Sequence, residues 1–132
     1  MKGFAARITP GLTLLSVVKV DDNSGAKEIR IINRLGYKGR RGRQPPISVG
    51  DVIIGSVIKG KKDMRKKIVR AVIIRQKKDY RRATGERIRF EDNAAVLITD
   101  KNEPKASEIK GVVAKEVAER FPKVATISKN VI

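Results

Sequence analysis

The sequence has 132 residues, enough for one domain around a single core, and carries 31 Lys and Arg against 14 Asp and Glu, a formal charge of +17. It contains neither Cys nor His, which excludes thiolate nucleophiles, imidazole bases, Cys/His zinc sites and disulfide frameworks. An apolar content of 40% is sufficient for folding, so the charge belongs to a globular domain and points to a polyanionic partner.

Met1 to Gly11, with a lone Phe4 and a closing Pro10-Gly11, reads as an irregular arm. Residues 12–100 read as a β-rich body. Leu12 to Val20 is apolar enough for a strand, Asp21-Asp22-Asn23-Ser24-Gly25 has turn chemistry, and Ala26 to Leu35 continues as a second strand, so the two predict an antiparallel hairpin. Gly36 to Pro46 packs three glycines and four cations (Lys38, Arg40, Arg41, Arg43) around Tyr37, a loop suited to RNA contact. Ile47 to Lys59 is a third apolar region, in which Gly55 predicts a bulge or bend.

Gly55 to Lys61 spells the outline of a phosphate-binding P-loop. Lys62 stands where Ser or Thr would hold magnesium, however, and the intervening residues favour a strand, so nucleotide hydrolysis is rejected. Gly60 to Lys67 is a second cationic loop with Lys61, Lys62, Arg65, Lys66 and Lys67. A fourth strand, Ile68 to Ile74, leads into a third basic segment carrying Arg75, Lys77, Lys78, Arg81, Arg82, Arg87 and Arg89, with a turn at Thr84-Gly85; Lys77, Lys78, Arg81 and Arg82 join the cations of the two loops as the expected phosphate contacts. A fifth strand runs through Ala94 to Ile98, and a polar loop follows to Pro104.

Residues 101–132 read as a C-terminal loop and helical region. From Gly111 to Phe121, Val113, Val117 and Phe121 fall at helical spacing, and Pro122 opens a second short helix over Val124, Ala125 and Ile127. The apolar stripe packs on the β body. Its outer side, with Glu116, Glu119, Arg120 and Lys123, is the candidate surface for a protein neighbour. The expected fold is mainly β, a small five-stranded barrel with basic projecting loops and a short C-terminal helical region, in a single domain.

Residues 38–89 hold 18 basic and 4 acidic side chains, a concentration expected of a binding surface. The five aromatics are scattered, which argues against single-strand stacking and for recognition of phosphates and duplex shape. On charge alone a DNA-coating protein remains open beside an RNA-binding one. The carboxylate pairs Asp21/Asp22 and Glu91/Asp92 lack acid–base geometry, since sequence neighbours on a strand face opposite ways and the first pair sits in a turn. The chain is therefore expected to be no enzyme and to need no cofactor. No apolar run reaches the length of a membrane span and the N-terminus lacks a signal pattern, so no membrane partner and a cytoplasmic location are expected.

Separated motifs add a resemblance. Ala71-Val72-Ile73-Ile74, then Thr84-Gly85, Phe90, Asn93 and Val96-Leu97 resemble the signature of the universal large-subunit ribosomal protein family called L-fourteen in the bacterial series. Asp22 to Ala26 is similar to its first hairpin turn, Gly50-Asp51 to its next strand entry, and Gly111 to Ile132 to its C-terminal segment. Thr84 departs from the family's usual Asp, Asn or Ser, while the 36–46 loop and the N-terminal arm look like the archaeal and eukaryotic branch. The resemblance implies a five-stranded barrel bound to large-subunit rRNA, on the intersubunit face. It also implies a bridge to small-subunit rRNA, neighbouring ribosomal proteins, and a subunit anti-association factor at the C-terminal region.

Overall fold

The computed structural model describes residues 7–132; Phe4 and the first half of the expected arm lie outside the described residues. Five strands, β1 (Val17–Val20), β2 (Ala26–Arg34), β3 (Val52–Gly60), β4 (Ile68–Arg75) and β7 (Ala94–Ile98), close into a barrel in that order. Between the last two, β5 (Tyr80–Arg81) and β6 (Arg87–Ile88) form a separate small hairpin, and β8 (Ile109–Val113) pairs with β9 (Ser128–Val131). The helices α1 (Lys115–Arg120) and α2 (Pro122–Ile127) lie between β8 and β9. All barrel neighbours are antiparallel except β1 and β7, whose parallel contact (Lys19 to Ala94, Val20 to Ala95) closes the ring.

The barrel interior follows strand alternation. Val18 faces Ile29, Ile29 faces Val57, and Ile53, Ala71 and Leu97 form a continuous row across three strands; all are buried. On β1 the alternation is visible as exposed Val17 and Lys19 against buried Val18 and Val20. β4 and β7 lose the alternation because both their faces are covered. Their outer row, Val72 and Val96, is buried as well, and the chain from 104 to 114 runs beside them, with Lys105 N donating to Leu97 O and Ala114 N to Ile74 O.

The bend expected at Gly55 is present as a close approach. A Cβ there would lie 3.0 Å from the Arg30 carbonyl, and the register slips between Ile31 and Asn33 on the opposing strand. The extra residue, Ile32, is left exposed. Gly60 is more constrained, with φ +154° and a hypothetical Cβ 2.7 Å from the Gly25 carbonyl. Gly60→Ala should therefore cost about 1–3 kcal/mol in urea unfolding, because backbone on both sides would have to move. An unchanged midpoint would mean that this end of the barrel is pliable.

Two expectations need correction. The first strand is shorter than Leu12 to Val20: Leu15 takes a positive φ (67°) and is 72% exposed, while Leu12 makes only an isolated bridge to Ile47. The helix expected over Gly111 to Phe121 begins only at Lys115, since Gly111 to Val113 belong to β8 and pair with β9. Val113 stays buried beside Val117, Phe121 and Val124, so the apolar stripe is real but is built from a strand and two short helices. Pro122 opens α2 at its first turn as expected.

Candidate nucleic-acid interface

Antiparallel pairing decides where the basic loops project. The β2–β3 connection (35–51) and the β4–β7 connection (76–93) leave one end of the barrel, and the β1–β2 and β3–β4 connections leave the other. Side-chain contacts agree: Gln76 accepts from Val49 N (3.2 Å) at the first end, and Lys61 lies against Gly25 at the second. Two of the three cationic runs thus share an end. The third, 61–67, is separated from them by the length of β3, up to ~30 Å along nine residues.

Each loop has its own framework. In the first, Arg43 N donates to Arg40 O (3.0 Å) and Gly42 supplies φ +81°, a tight turn that places Arg41 at its tip. In the second, Met64 packs against the core while Lys61 N donates to Gly25 O and Lys66 N to Val57 O (2.9 Å each). The third carries the β5–β6 hairpin, turned by Arg82 N donating to Glu86 O and by Gly85 at φ +94°.

Lys38, Arg40, Arg41, Arg43, Lys61, Lys62, Arg65, Lys66, Lys67, Lys77, Lys78 and Arg81 are all exposed. Among the described residues only Lys78 of these approaches an acid, Asp79 at 3.8 Å. Arg82 differs: its Nε donates to Glu116 Oε1 (2.8 Å), its Nη2 to the Ile132 carbonyl (2.6 Å), and its side chain is largely buried. Tyr80 donates to the other Glu116 oxygen (2.8 Å), and burial, reinforced by that carboxylate, pushes the phenol well above its ordinary value. Glu116 is therefore committed to the β5–β6 hairpin. Arg120 also turns inward, donating to Gly50 O, whereas Glu119 and Lys123 are exposed, the latter paired with Glu103.

Arg75, counted by sequence among the cations of the third run, is buried. Its Nε donates to Asp92 (2.8 Å), Nη1 to the Val112 carbonyl (2.8 Å), and Nη2 to Asp21. Burial opposes its charge, but the bonds to Asp92 and Asp21 outweigh burial and hold the guanidinium above its usual value. Arg87 pairs with Asp79. Asp21 and Asp92, one from each carboxylate pair noted in the sequence, are thus structural anchors. No group of three or more acidic side chains able to hold a metal occurs among the described residues, and no helix is long and apolar enough to cross a membrane.

Comparison with known proteins supplies the family. The model described as "Ribosomal protein L14p/L23e" matches residues 11–132. The chain belongs to the ribosomal protein L14p/L23e family. It is 48% identical to the large ribosomal subunit protein uL14 of Methanocella arvoryzae, covering the whole of both chains. It is 52% identical to the protein of the same name from Methanoregula boonei over 84% of each chain, and 44% identical to that of Halorubrum lacusprofundi over the full length of both. These relatives are archaeal, the branch suggested by the Gly-Arg loop.

In this L14p/L23e chain the residues that carried the resemblance serve the scaffold. Asp22 accepts from Ser24 N (3.1 Å) to hold the first turn and from Leu97 N (3.0 Å) to tie that turn to β7. Asp51 accepts from Ser48 N (2.8 Å) and Arg34 (3.0 Å) at the entry to β3. Asn93 accepts from Lys77 N (2.8 Å) through its side chain and from Lys19 N (3.1 Å) through its carbonyl, fixing where the third basic segment rejoins the barrel. The family is one of structural proteins and not of enzymes.

Proposed function

We propose that the chain is a structural constituent of the large ribosomal subunit in the cytoplasm, binding its rRNA through Lys38, Arg40, Arg41, Arg43, Lys61, Lys62, Arg65, Lys66, Lys67, Lys77, Lys78 and Arg81. The observation that carries this reading is that the three densest cationic runs lie in loops at the two barrel ends, with only Lys78 of these twelve side chains near an acid among the described residues. Arginines there suit bidentate phosphate contacts and lysines act as point charges. The rigid barrel sets the spacing between the two cationic ends, so the reading calls for two stretches of RNA held apart. The relatives named above are large-subunit proteins, which supports rRNA and neighbouring ribosomal proteins as partners.

The finer assignment puts the chain on the intersubunit face, with a bridge to small-subunit rRNA. Glu119 and Lys123 then offer themselves to a neighbouring protein or to an anti-association factor at the C-terminal region. Sedimentation of lysate on a sucrose gradient, before and after a high-salt wash, tests the central claim. Co-migration with the large subunit through the wash is expected, and migration with chromosomal DNA would refute it. Lys61→Glu with Lys62→Glu should make the salt dependence of rRNA binding shallower, by roughly one unit of log–log slope for each phosphate no longer neutralised, with Tm unchanged. Wild-type slope in that variant would remove the second loop from the interface.

A further inference from the structure

At the foot of the 36–46 loop lies a cleft of about 280 Å³ lined by Arg34, Gly36, Asp51, Arg70, Asn102 and Arg120. Three guanidiniums, from β2, β4 and the end of α1, line it together with the buried carboxylate of Asp51. Asp51 Oδ2 is occupied by Ser48 N and Oγ (2.8 and 3.1 Å), and Oδ1 receives Arg34 Nη2 at 3.0 Å. Arg70 has a weaker hold: Nε lies 3.8 Å from a carboxylate oxygen of Asp100, whose side chain is 95% exposed, and Nη1 is 3.5 Å from that residue's carbonyl. Burial pulls the Arg120 charge down, and repulsion from Arg34 adds to this against the attraction of Asp51. The acids that meet these guanidiniums are the buried Asp51 and the exposed Asp100.

We propose that this cleft seats a single phosphate group of the RNA backbone. The inference rests on the reading of the chain as an rRNA-binding protein and names a contact outside the exposed loop cations. Arg34 spends two of its five donors, on Pro46 O and Asp51, and so keeps others for a ligand. The exposed Asp100 link of Arg70 is the kind of contact that a phosphate, with more acceptor oxygens, displaces. The cleft has room for a phosphate, and three of its lining side chains are guanidiniums, whose planar forks match phosphate oxygens. Gly36 is at once part of its wall and the first residue of the loop bearing Lys38, Arg40 and Arg41, so a strand of RNA along that loop passes its mouth. An anion held there also relieves the repulsion between Arg34 and Arg120.

The test is a titration of the full chain with inorganic phosphate at fixed ionic strength, followed through the arginine Nε–Hε NMR signals. The Arg34 and Arg70 signals should saturate together while that of Arg81 only drifts. Arg70→Gln, at a partly exposed position, should bind phosphate about tenfold more weakly with an unchanged Tm. Unsaturable drift of every arginine, or wild-type phosphate affinity in Arg70→Gln, would overturn the seat whatever RNA does. A second arm measures a short RNA duplex, for which Arg70→Gln should lower the salt slope by about one. Saturable phosphate binding with an RNA slope untouched by Arg70→Gln would overturn the RNA assignment and mark a free-phosphate site. Failure of the wild-type chain to bind RNA at all, with the phosphate site intact, would instead count against the rRNA reading itself.

Discussion

Arg75→Ala should destabilise the protein by about 3–5 kcal/mol and lower its Tm by roughly 10–20 °C. The side chain is 8% exposed and reaches three partners that are remote in sequence: Asp21 in the first turn, Asp92 before β7, and the Val112 carbonyl on β8. Its removal leaves Asp21 without its ion-pair partner and Asp92 with only the exposed Lys19, and takes away one of the bonds that tie β8 to the barrel. Lys at this position should recover only part of the loss, since one ammonium cannot span both carboxylates and the carbonyl as a planar fork does. A Tm within a few degrees of wild type would show that Asp21 and Asp92 find other partners.

The same cluster predicts an acid limb. The hydrogen bond from Arg75 holds the Asp92 carboxyl below the ordinary carboxylate range, with Lys19 adding at 3.7 Å. A depressed folded-state value means stability that is present above the unfolded value, about pH 4, and is lost as pH falls through the folded one. Chemical denaturation between pH 5 and 2 should show this slope in the wild type and a flatter one in Arg75→Ala.

Glu116→Ala is the second large effect, about 3 kcal/mol, because Arg82 and the Tyr80 hydroxyl lose their shared acceptor together in a largely buried setting. Tyr80→Phe, which removes one donor and leaves the ion pair, should cost only about 1 kcal/mol. Beyond the lower Tm, amide exchange should accelerate in residues 80–88 in Glu116→Ala, since that carboxylate joins the hairpin to α1. Equal exchange in both variants would place the joint elsewhere. It follows that reversing Arg82 to Glu sets two carboxylates against each other and tests folding; Arg81, exposed and without an acidic partner among the described residues, is the cleaner probe of RNA contact.

The barrel was legible because its strands are either alternating, as in Val17 to Val20, or continuous apolar runs such as Ala94 to Ile98, and both patterns are local. In the C-terminal segment the two short helices were legible but the strands β8 and β9 were not. Gly111-Val112-Val113 is a strand only because Ser128 to Val131 lies beside it, and a six-residue helix leaves an apolar stripe that a longer helix would share. The cationic loops were visible as charge density, but the direction of each side chain was not. Arg75 finds an acid 54 residues away and Arg82 one 34 residues away, partners that no reading of neighbouring residues pairs. The Arg34, Arg70 and Arg120 cleft is invisible in the sequence for the same reason, as its members stand singly in three different segments.

The parallel contact between β1 and β7 also sets a timetable. Lys19 must wait for Ala94, and until residues 94–98 have been synthesised the other strands form an open sheet with two bare edges. Long-range closure of this kind is slow, and an unpaired edge is a template for pairing with other chains. During that interval the cationic loops, already made, keep nascent copies apart by mutual repulsion, a service to the unfinished molecule that ends when the ring shuts.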